Sequence, residues 1–213
     1  MIKRNKGTLI LTSCVILLPL LVGLILWSKL PDQVPIHWNV AGEVDNYTGK
    51  PFAVIVLPLI LLALHWFCSL LTSADPKYND HHNKYIHIVL WIVPGISVLI
   101  CAFMYTAALG IDMPIEAILP LLLGLLFVII GNAMPKFPQS YTIGIKLPWT
   151  LNSEENWYKT HRLGGKLWVA GGFAVILLSL LGAALWMFAV LLVMVLVPTI
   201  YSYLLYRKSK TEE

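Results

Sequence analysis

Charged residues are scarce in this sequence. Only 12% of its 213 residues are Asp, Glu, Lys or Arg, whereas 58% are hydrophobic. A soluble domain needs more polar surface than this composition supplies, so the composition argues against that class and is typical of a protein with several transmembrane helices.

Cysteine is also rare, and recognisable catalytic motifs are missing. Cys14, Cys68 and Cys101 all lie in apolar segments without CxxC spacing, so we interpret them as small buried hydrophobic residues. A hydrolase would need a nucleophile with a nearby base, or a metal motif such as HExxH, and the sequence offers neither. We therefore predict no enzyme activity, no catalytic residue, no cofactor and no metal.

The basic residues do not form one patch, although the formal net charge is +4. They flank the apolar segments, which is a signal of membrane topology rather than of a nucleic-acid partner. We predict that the chain contacts the lipid bilayer and does not bind nucleic acid directly.

Six apolar segments have the length of a membrane span: about 8–28, 52–72, 86–109, 115–134, 167–184 and 187–206. Each approaches the roughly 20 residues that a helix needs to cross about 30 Å of hydrocarbon. The sequence therefore predicts an all-α, polytopic membrane protein with a bundle of six transmembrane helices in one membrane domain. The first span, with Lys3, Arg4 and Lys6 before it, has the features of a retained signal anchor.

The uncharged stretch 167–206 is about twice the length of one membrane span, so we divide it between Gly182 and Trp186. With six spans the positive-inside rule is satisfied, and both termini are predicted in the cytoplasm. The loop 30–50 is then extracellular and the loop 135–166 cytoplasmic. The basic residues predicted inside are Lys3, Arg4, Lys6, Lys77, Lys84, Lys136, Lys146, Lys159, Arg162, Lys166, Arg207, Lys208 and Lys210, with Lys29 and Lys50 outside.

The loop 30–50 (hairpin segment) alternates apolar and polar residues before a glycine. This alternation predicts a short hairpin with its turn near Ala41-Gly42. Its acids suggest either attraction of a cationic peptide or simply the exclusion of bases from this face. The apolar residues are Val34, Ile36, Trp38, Val40 and Val44, and the acids of this face are Asp32, Glu43, Asp45 and Asp112.

The loop 135–166 (signature segment) is the most polar part of the chain. Pro135 and Pro138 end the preceding helix near Asn132, and residues 142–145 are expected to be extended. Ser153 is placed to cap a helix whose first turn carries two acids. We expect this short amphipathic helix to lie at the membrane surface and to turn at Gly164-Gly165 into the next span. One face of it would carry Trp157, Thr160, His161 and Gly164.

The histidines outside this segment have weaker signals. His81 and His82 are adjacent and lack a cysteine partner, so a solvated loop with Asp75 and Asp80 is preferred to a metal site. The second span contains His65, which is either functional or satisfied by a neighbouring helix.

Two motifs carry a resemblance to a known family. The run IGIKLPWTLNSEENWYKTHRLGG at 143–165 is similar to the signature of the SdpI family, membrane proteins that protect Gram-positive bacteria from a secreted cannibalism toxin. The run LPDQVPIHWNVAGEVDNYTGK at 30–50 resembles the DUF1648 segment that follows the first span in that family.

The resemblance implies an immunity protein of the bacterial cell membrane with an SDP-like secreted peptide toxin as partner. It also implies a receptor role, in which the toxin-bound protein recruits a cytoplasmic winged-helix repressor. The residues it assigns to peptide binding in the outer loop are His37, Trp38, Gly42 and Lys50. Those it assigns to the inner signature are Asn132, Gly144, Lys146, Pro148, Trp149, Thr150, Glu154, Trp157, Thr160 and His161.

One departure and one alternative stand beside this interpretation. Lys146 occupies a position where the family most often has Arg, so the charge remains but a planar donor is lost. The alternative is a transporter for a small amphipathic molecule, since prolines occur in five spans and the halves before and after residue 112 could form an inverted repeat. Against it, the spans contain few groups that could couple to an ion gradient.

Overall fold

The computed structural model describes residues 1–39, 41–78, 85–111, 113–183 and 185–211. It contains six helices that are long and apolar enough to cross a membrane, which confirms the predicted all-α membrane fold. Within the described residues, β-structure is limited to one two-stranded hairpin. In chain order the elements are α1 (Lys6–Ile25), β1 (Gln33–Trp38), β2 (Val44–Gly49), a π-helical turn (Phe52–Val56), α2 (Leu57–Ser73), α3 (Ile86–Ala108), α4 (Ile115–Ala133), a 3-10 turn (Met134–Lys136), α5 (Pro148–Asn152), α6 (Glu154–Leu180) and α7 (Trp186–Thr211).

The chain divides into two compact units. The first comprises Met1–Ser73 and Ile86–Ile115, with α1, α2, α3 and the hairpin, and the second comprises Ala74–Tyr85 and Glu116–Glu213. Whether the halves form an inverted repeat stays a prediction.

Side-chain hydrogen bonds link the helices of the first unit. Ser97 on α3 donates to the carbonyl of Ile16, and the Tyr105 hydroxyl donates to the carbonyl of Pro19 at 3.1 Å. His65 is buried, with its Nε2 3.0 Å from Thr12 Oγ1 on α1. A neighbouring helix therefore supplies this histidine with a partner, as polar groups inside a membrane require.

The hairpin forms as the alternation predicted. β1 and β2 pair antiparallel, and Gly42 in the turn has a φ of +82°, which a glycine adopts without strain. The Asn39 side chain accepts hydrogen bonds from the backbone N–H groups of Ala41 and Glu43 and closes the turn. Val40 and Asp112 lie outside the described residues. Val34, fully buried, packs into a core with Val54 and Met104, among other residues, which fixes the hairpin to its helices.

Helices α4 and α6 of the second unit approach each other through glycines at two levels. A Cβ atom placed on Gly131 would lie 2.8 Å from the carbonyl oxygen of Gly165, and one on Gly124 would lie 2.7 Å from that of Gly172. Any larger side chain would force these backbones apart, so small residues here allow close packing.

The prediction of a turn at Gly164-Gly165 is wrong, because α6 continues without a break from Glu154 to Leu180. The physical reason is that both glycines are used for contact rather than for a turn. A Cβ on Gly165 would also meet the ring of Pro135 at 2.7 Å, and one on Gly164 would meet Ile145 and Met134 at 3.0 Å. The break that does occur is at Gly182, with a φ of +67°, between α6 and α7 as predicted.

The cysteines only partly match their prediction. Cys101 is buried, but Cys14 and Cys68 are exposed on the outer faces of α1 and α2. The reason is that the membrane lets apolar side chains face outward, so an apolar segment does not imply a buried side chain.

Candidate functional site

Asp75 organises the start of the signature segment. Its Oδ2 accepts hydrogen bonds from the hydroxyls of Ser140 (2.6 Å) and Thr142 (3.0 Å), and from the backbone N–H of Tyr141 (2.8 Å). Its Oδ1 accepts from the N–H of Lys77 at 2.9 Å. Burial alone would raise the pKa of Asp75, but these bonds to the carboxylate outweigh it, so the pKa lies below its ordinary value of 3.8.

This geometry corrects the prediction that Asp75 belongs to a solvated loop, because its side chain is buried. The donors that bury it lie some 65 residues further along the chain, where local sequence patterns give no signal. Asp80, His81 and His82, predicted in the same loop, lie outside the described residues.

Lys77 and Gln139 extend this network to the short helix α5. The Lys77 ammonium group donates to the carbonyl of Leu151 at 3.0 Å and to the side-chain oxygen of Gln139. Gln139 in turn donates to the carbonyls of Thr150 and Leu151 at 2.7 and 2.9 Å. The carbonyls at the end of α5, which lack partners within the helix, are thus satisfied by side chains.

Pro148 begins α5, and the Thr150 side chain caps its first turn. Proline suits a first helical position because its missing N–H is not needed there. The Thr150 hydroxyl accepts from the N–H of Leu147 at 2.9 Å and lies 2.8 Å from the carbonyl of Ile145. Thr150 is fully buried, so it acts as an internal link of the loop.

His161 holds the centre of the signature segment against α6. Its Nε2 accepts a hydrogen bond from the backbone N–H of Ile145 at 2.8 Å, so the proton of the neutral ring must be on Nδ1. Nδ1 lies 2.8 Å from the carbonyl of Trp157, to which it donates. A doubly protonated ring would have no acceptor for Ile145, so this arrangement requires the neutral form.

Gly144 lies directly beneath two stacked rings. Trp157 and His161 are stacked with ring centroids 3.9 Å apart, and both side chains are fully buried. A Cβ atom on Gly144 would lie 2.5 Å from His161 Nε2 and 2.7 Å from the Trp157 ring. The φ of Gly144 is +118°, so both its conformation and its surroundings require glycine.

The predicted face of α6 is confirmed. Trp157, Thr160, His161 and Gly164 are all buried, and Ser153 caps the helix by accepting from the N–H of Asn156. The Trp157 indole donates to the carbonyl of Phe137 at 3.0 Å, and Thr160 donates to the Asn156 side chain.

Trp149 ties α5 to the last helix. Its indole N–H donates to the Ser202 hydroxyl at 2.8 Å, and its ring stacks on Tyr206 at 5.8 Å and meets Tyr203 edge-on. Asn156 adds a bond to the Ser202 carbonyl at 2.9 Å. The sequence signal for this contact is Ser202, one of the few polar residues in a mostly apolar span.

Three predicted residues of the signature lie apart from this core. Asn132, Lys146 and Glu154 are exposed. The Lys146 ammonium group donates to the carbonyl of Thr142 at 3.3 Å, a single contact that a lysine makes as well as an arginine would.

The predicted residues of the hairpin segment fall into two places. Lys50 lies at its base, where its ammonium group donates to the carbonyl of Leu30 (3.0 Å), pairs with Asp32 (3.2 Å) and lies over the Trp27 ring. His37 is exposed and contacts Asp45 across the strands at 2.5 Å.

The other two hairpin residues, Trp38 and Gly42, line a cavity of about 250 Å³. Its other walls come mainly from the end of α3 and the residues after it, with Val44 and Phe103 among the apolar side chains. This is a concave, largely apolar surface suited to an apolar group.

Metal chemistry has no support in the part of the chain that is described. No group of three or more His, Cys, Asp or Glu side chains there is placed to hold a metal ion. His87, the remaining histidine near the loop, is exposed and lies 3.3 Å from Thr8.

Six membrane-crossing helices with a hydrogen-bonded loop packed against the ends of two of them define a multi-pass α-helical membrane protein. A family model described as the SdpI/YfhL protein family matches residues 136–202, and a domain of unknown function, DUF1648, matches residues 14–62. The chain is also 27% identical over 213 residues to "Immunity protein SdpI" of Bacillus subtilis (strain 168), an alignment that covers 97% of each protein. The two family models and the similarity along nearly the whole chain together support membership of the SdpI family. No solved structure matches it significantly.

Proposed function

We propose that this protein is a membrane immunity protein that protects its cell against a secreted antimicrobial peptide of the SDP type. The observation that carries the proposal is the similarity to an immunity protein along nearly the whole chain, through both motifs and all six spans. Because the similarity extends beyond any one motif, it supports a shared function of the whole membrane domain, namely immunity.

In this proposal the hairpin segment faces the outside of the cell and both termini face the cytoplasm. The distribution of Lys and Arg supports this orientation, because six spans leave only Lys29 and Lys50 outside. The hairpin is then the part that meets the peptide first.

The hairpin cavity would receive an apolar side chain of the peptide. It offers about 250 Å³ lined by rings and aliphatic groups, among them Trp38, Val44 and Phe103. The nearby acids Asp32, Glu43 and Asp45 are exposed and would attract basic residues of the peptide, an effect that weakens as salt increases. Lys50 would act differently, by holding the base of the hairpin in place.

Survival of toxin-sensitive Gram-positive cells treated with purified SDP peptide, with and without this protein, tests the proposal. Two matched variants of α3 locate the site. Ala107→Leu adds volume to the cavity, whereas Ala102→Leu adds it at an exposed position five residues earlier in α3. We expect Ala107→Leu to lose protection and Ala102→Leu to keep it, at equal membrane expression.

Absence of protection by the well-expressed wild-type protein would contradict the immunity proposal. Uptake of small amphipathic molecules into vesicles would then test the transporter alternative. Protection that survives Ala107→Leu would contradict only the assignment of the cavity.

We further propose that any recruitment of a winged-helix repressor uses the outer surface of the signature segment. Trp157, Thr160 and His161 are buried and would shape that surface from within, whereas Lys146 and Glu154 are exposed. A repressor-controlled reporter, compared between wild type, Lys146→Glu and Trp149→Ala, tests this role. Loss of the signal in Lys146→Glu with protection intact would support it, and an unchanged signal would contradict it.

A further inference from the structure

A second cavity, of about 240 Å³, opens between the start of α6 and the end of α7. The residues that line it include two lysines, two serines and two aromatic residues: Lys159, Lys208, Ser153, Ser209, Trp149 and Tyr206. None of these residues belongs to the hairpin, so this second cavity is distinct from the hairpin cavity.

The charge of this cavity favours an anion. The lining contains two lysines and one acid, Glu155, and Arg207 and Lys210 follow on the same last turns of α7. Glu155 pairs with Lys159 at 2.6 Å, as an exposed i,i+4 ion pair on α6. Basic clusters at the end of a membrane helix attract anionic lipid headgroups.

The cavity also lies at the level of a membrane where headgroups are found. The apolar part of α6 begins after Lys166, and the charges of α7 begin at Arg207, so the cavity is at the polar end of both spans. The stacked pair of Trp149 and Tyr206, with Tyr203 beside it, is the aromatic arrangement typical of a membrane–water interface.

A separate apolar cleft lies further along the same two helices. It has a volume of about 360 Å³ and is lined by small and aliphatic side chains, including Ala170, Gly171, Val190 and Met194. Gly171 lies five residues beyond Lys166, or about 7.5 Å along the helix, so the cleft is inside the hydrocarbon core. An acidic segment of a soluble protein would not enter such a cleft, but an acyl chain would.

We propose that the α6–α7 pair binds one anionic phospholipid. Its headgroup phosphate is held by Lys159 and Lys208 beside the Trp149–Tyr206 stack, and one acyl chain occupies the apolar cleft.

The test uses the purified full-length protein in detergent, titrated with phosphatidylglycerol or with phosphatidylcholine. Native mass spectrometry counts the bound lipid, and thermal unfolding measures its stabilising effect. We expect one retained phosphatidylglycerol and an upward shift of the melting temperature, with neither effect from phosphatidylcholine. Equal retention of both lipids would overturn the proposal.

Charge-removing variants locate the headgroup. Lys159→Gln and Lys208→Gln should each weaken binding about fivefold, and about thirtyfold together, since a basic residue near the surface contributes on the order of 1 kcal/mol. Lys136→Gln, an exposed lysine outside the cavity, is the control and should bind normally. The Lys159 side chain is 49% exposed, so its replacement should leave folding intact. Unchanged binding by the double variant would overturn the assignment.

Two further experiments distinguish binding of a lipid from binding of a free anion. Ala170→Trp fills the cleft and should lower phosphatidylglycerol binding while both lysines remain. Inorganic phosphate alone should not stabilise the protein. Stabilisation by inorganic phosphate equal to that by the lipid would show a soluble anion site and contradict the proposal.

Discussion

Replacement of Gly144 by alanine tests the central arrangement of the signature segment. The new Cβ atom would lie 2.5 Å from His161 Nε2 and 2.7 Å from the Trp157 ring, well inside ordinary contact distance. Both rings are fully buried and stacked, so they have little room to move aside. If the His161 ring shifts, the partly buried N–H of Ile145 loses its acceptor.

The size of the effect follows from two contributions. A positive φ at a residue with a side chain costs about 1–2 kcal/mol, and a buried donor left without a partner costs about 1–3 kcal/mol. We therefore expect Gly144→Ala to destabilise the protein by about 4 kcal/mol, or roughly 8–16 °C in melting temperature for a chain of this size. The measurement is the fraction of detergent-solubilised protein that remains monodisperse by size-exclusion chromatography after heating.

Gly182→Ala is the matched control. Gly182 also has a positive φ, +67°, but no other atom would lie within 4 Å of its new Cβ. It should therefore show only the backbone cost, about 1–2 kcal/mol. Equal losses of melting temperature in the two variants would refute the packing of Gly144 against the rings.

Three further predictions concern the network around this core. Asp75→Asn should cost about 2 kcal/mol, because an amide replaces a carboxylate that accepts several hydrogen bonds. Since the folded protein lowers the pKa of Asp75, the wild type gains stability from this residue above the unfolded pKa and loses the gain as pH falls through the folded pKa. The difference in melting temperature between the wild type and Asp75→Asn should accordingly shrink on acidification from pH 7 towards pH 3, and a constant difference would argue against the ionised carboxylate. Gly165→Ala should lower the melting temperature far more than Gly95→Ala, since only the first new Cβ would meet a backbone oxygen, at 2.7 Å, while the second would meet no atom within 4 Å. Trp149→Phe and Ser202→Ala should each cost about 1 kcal/mol, because each removes the hydrogen bond between these two residues, and Ser202→Ala also removes the bond from the Ser202 hydroxyl to the Thr199 carbonyl. The double variant should cost less than the sum in the same melting assay.

Features that depend on neighbours in sequence were predictable. The six spans follow from the length of apolar segments, the hairpin turn from alternation before Gly42, and the start of α6 from Ser153 with two acids after it. The buried face with Trp157 and His161 follows from helical periodicity. In each case a segment of about ten to twenty residues contains the whole signal.

Features that depend on residues distant in sequence were not predictable. A Gly-Gly pair such as Gly164-Gly165 can form a turn or allow another helix to pack closely. The sequence does not distinguish the two, because the outcome depends on the position of α4. Asp75 resembles any loop aspartate until Ser140 and Thr142 are placed beside it. The role of Trp149 likewise depends on Ser202, 53 residues away.

The sequence also did not show which signature residues are buried and which are exposed. The motif defined a segment, but it did not distinguish residues that shape the loop from residues on its surface. Trp157 and His161 are internal, whereas Lys146 and Glu154 are exposed. Which of them contacts a partner stays a prediction.

The unbroken course of α6 has a mechanical consequence. A straight helix of 27 residues is about 40 Å long, so a tilt of about 5° at one end displaces the other by about 3.5 Å. With no hinge at Gly164-Gly165, such a tilt is not absorbed within the membrane. The helix would then move as a rigid body, so a displacement at the Leu180 end would also displace the loop that is bound to His161.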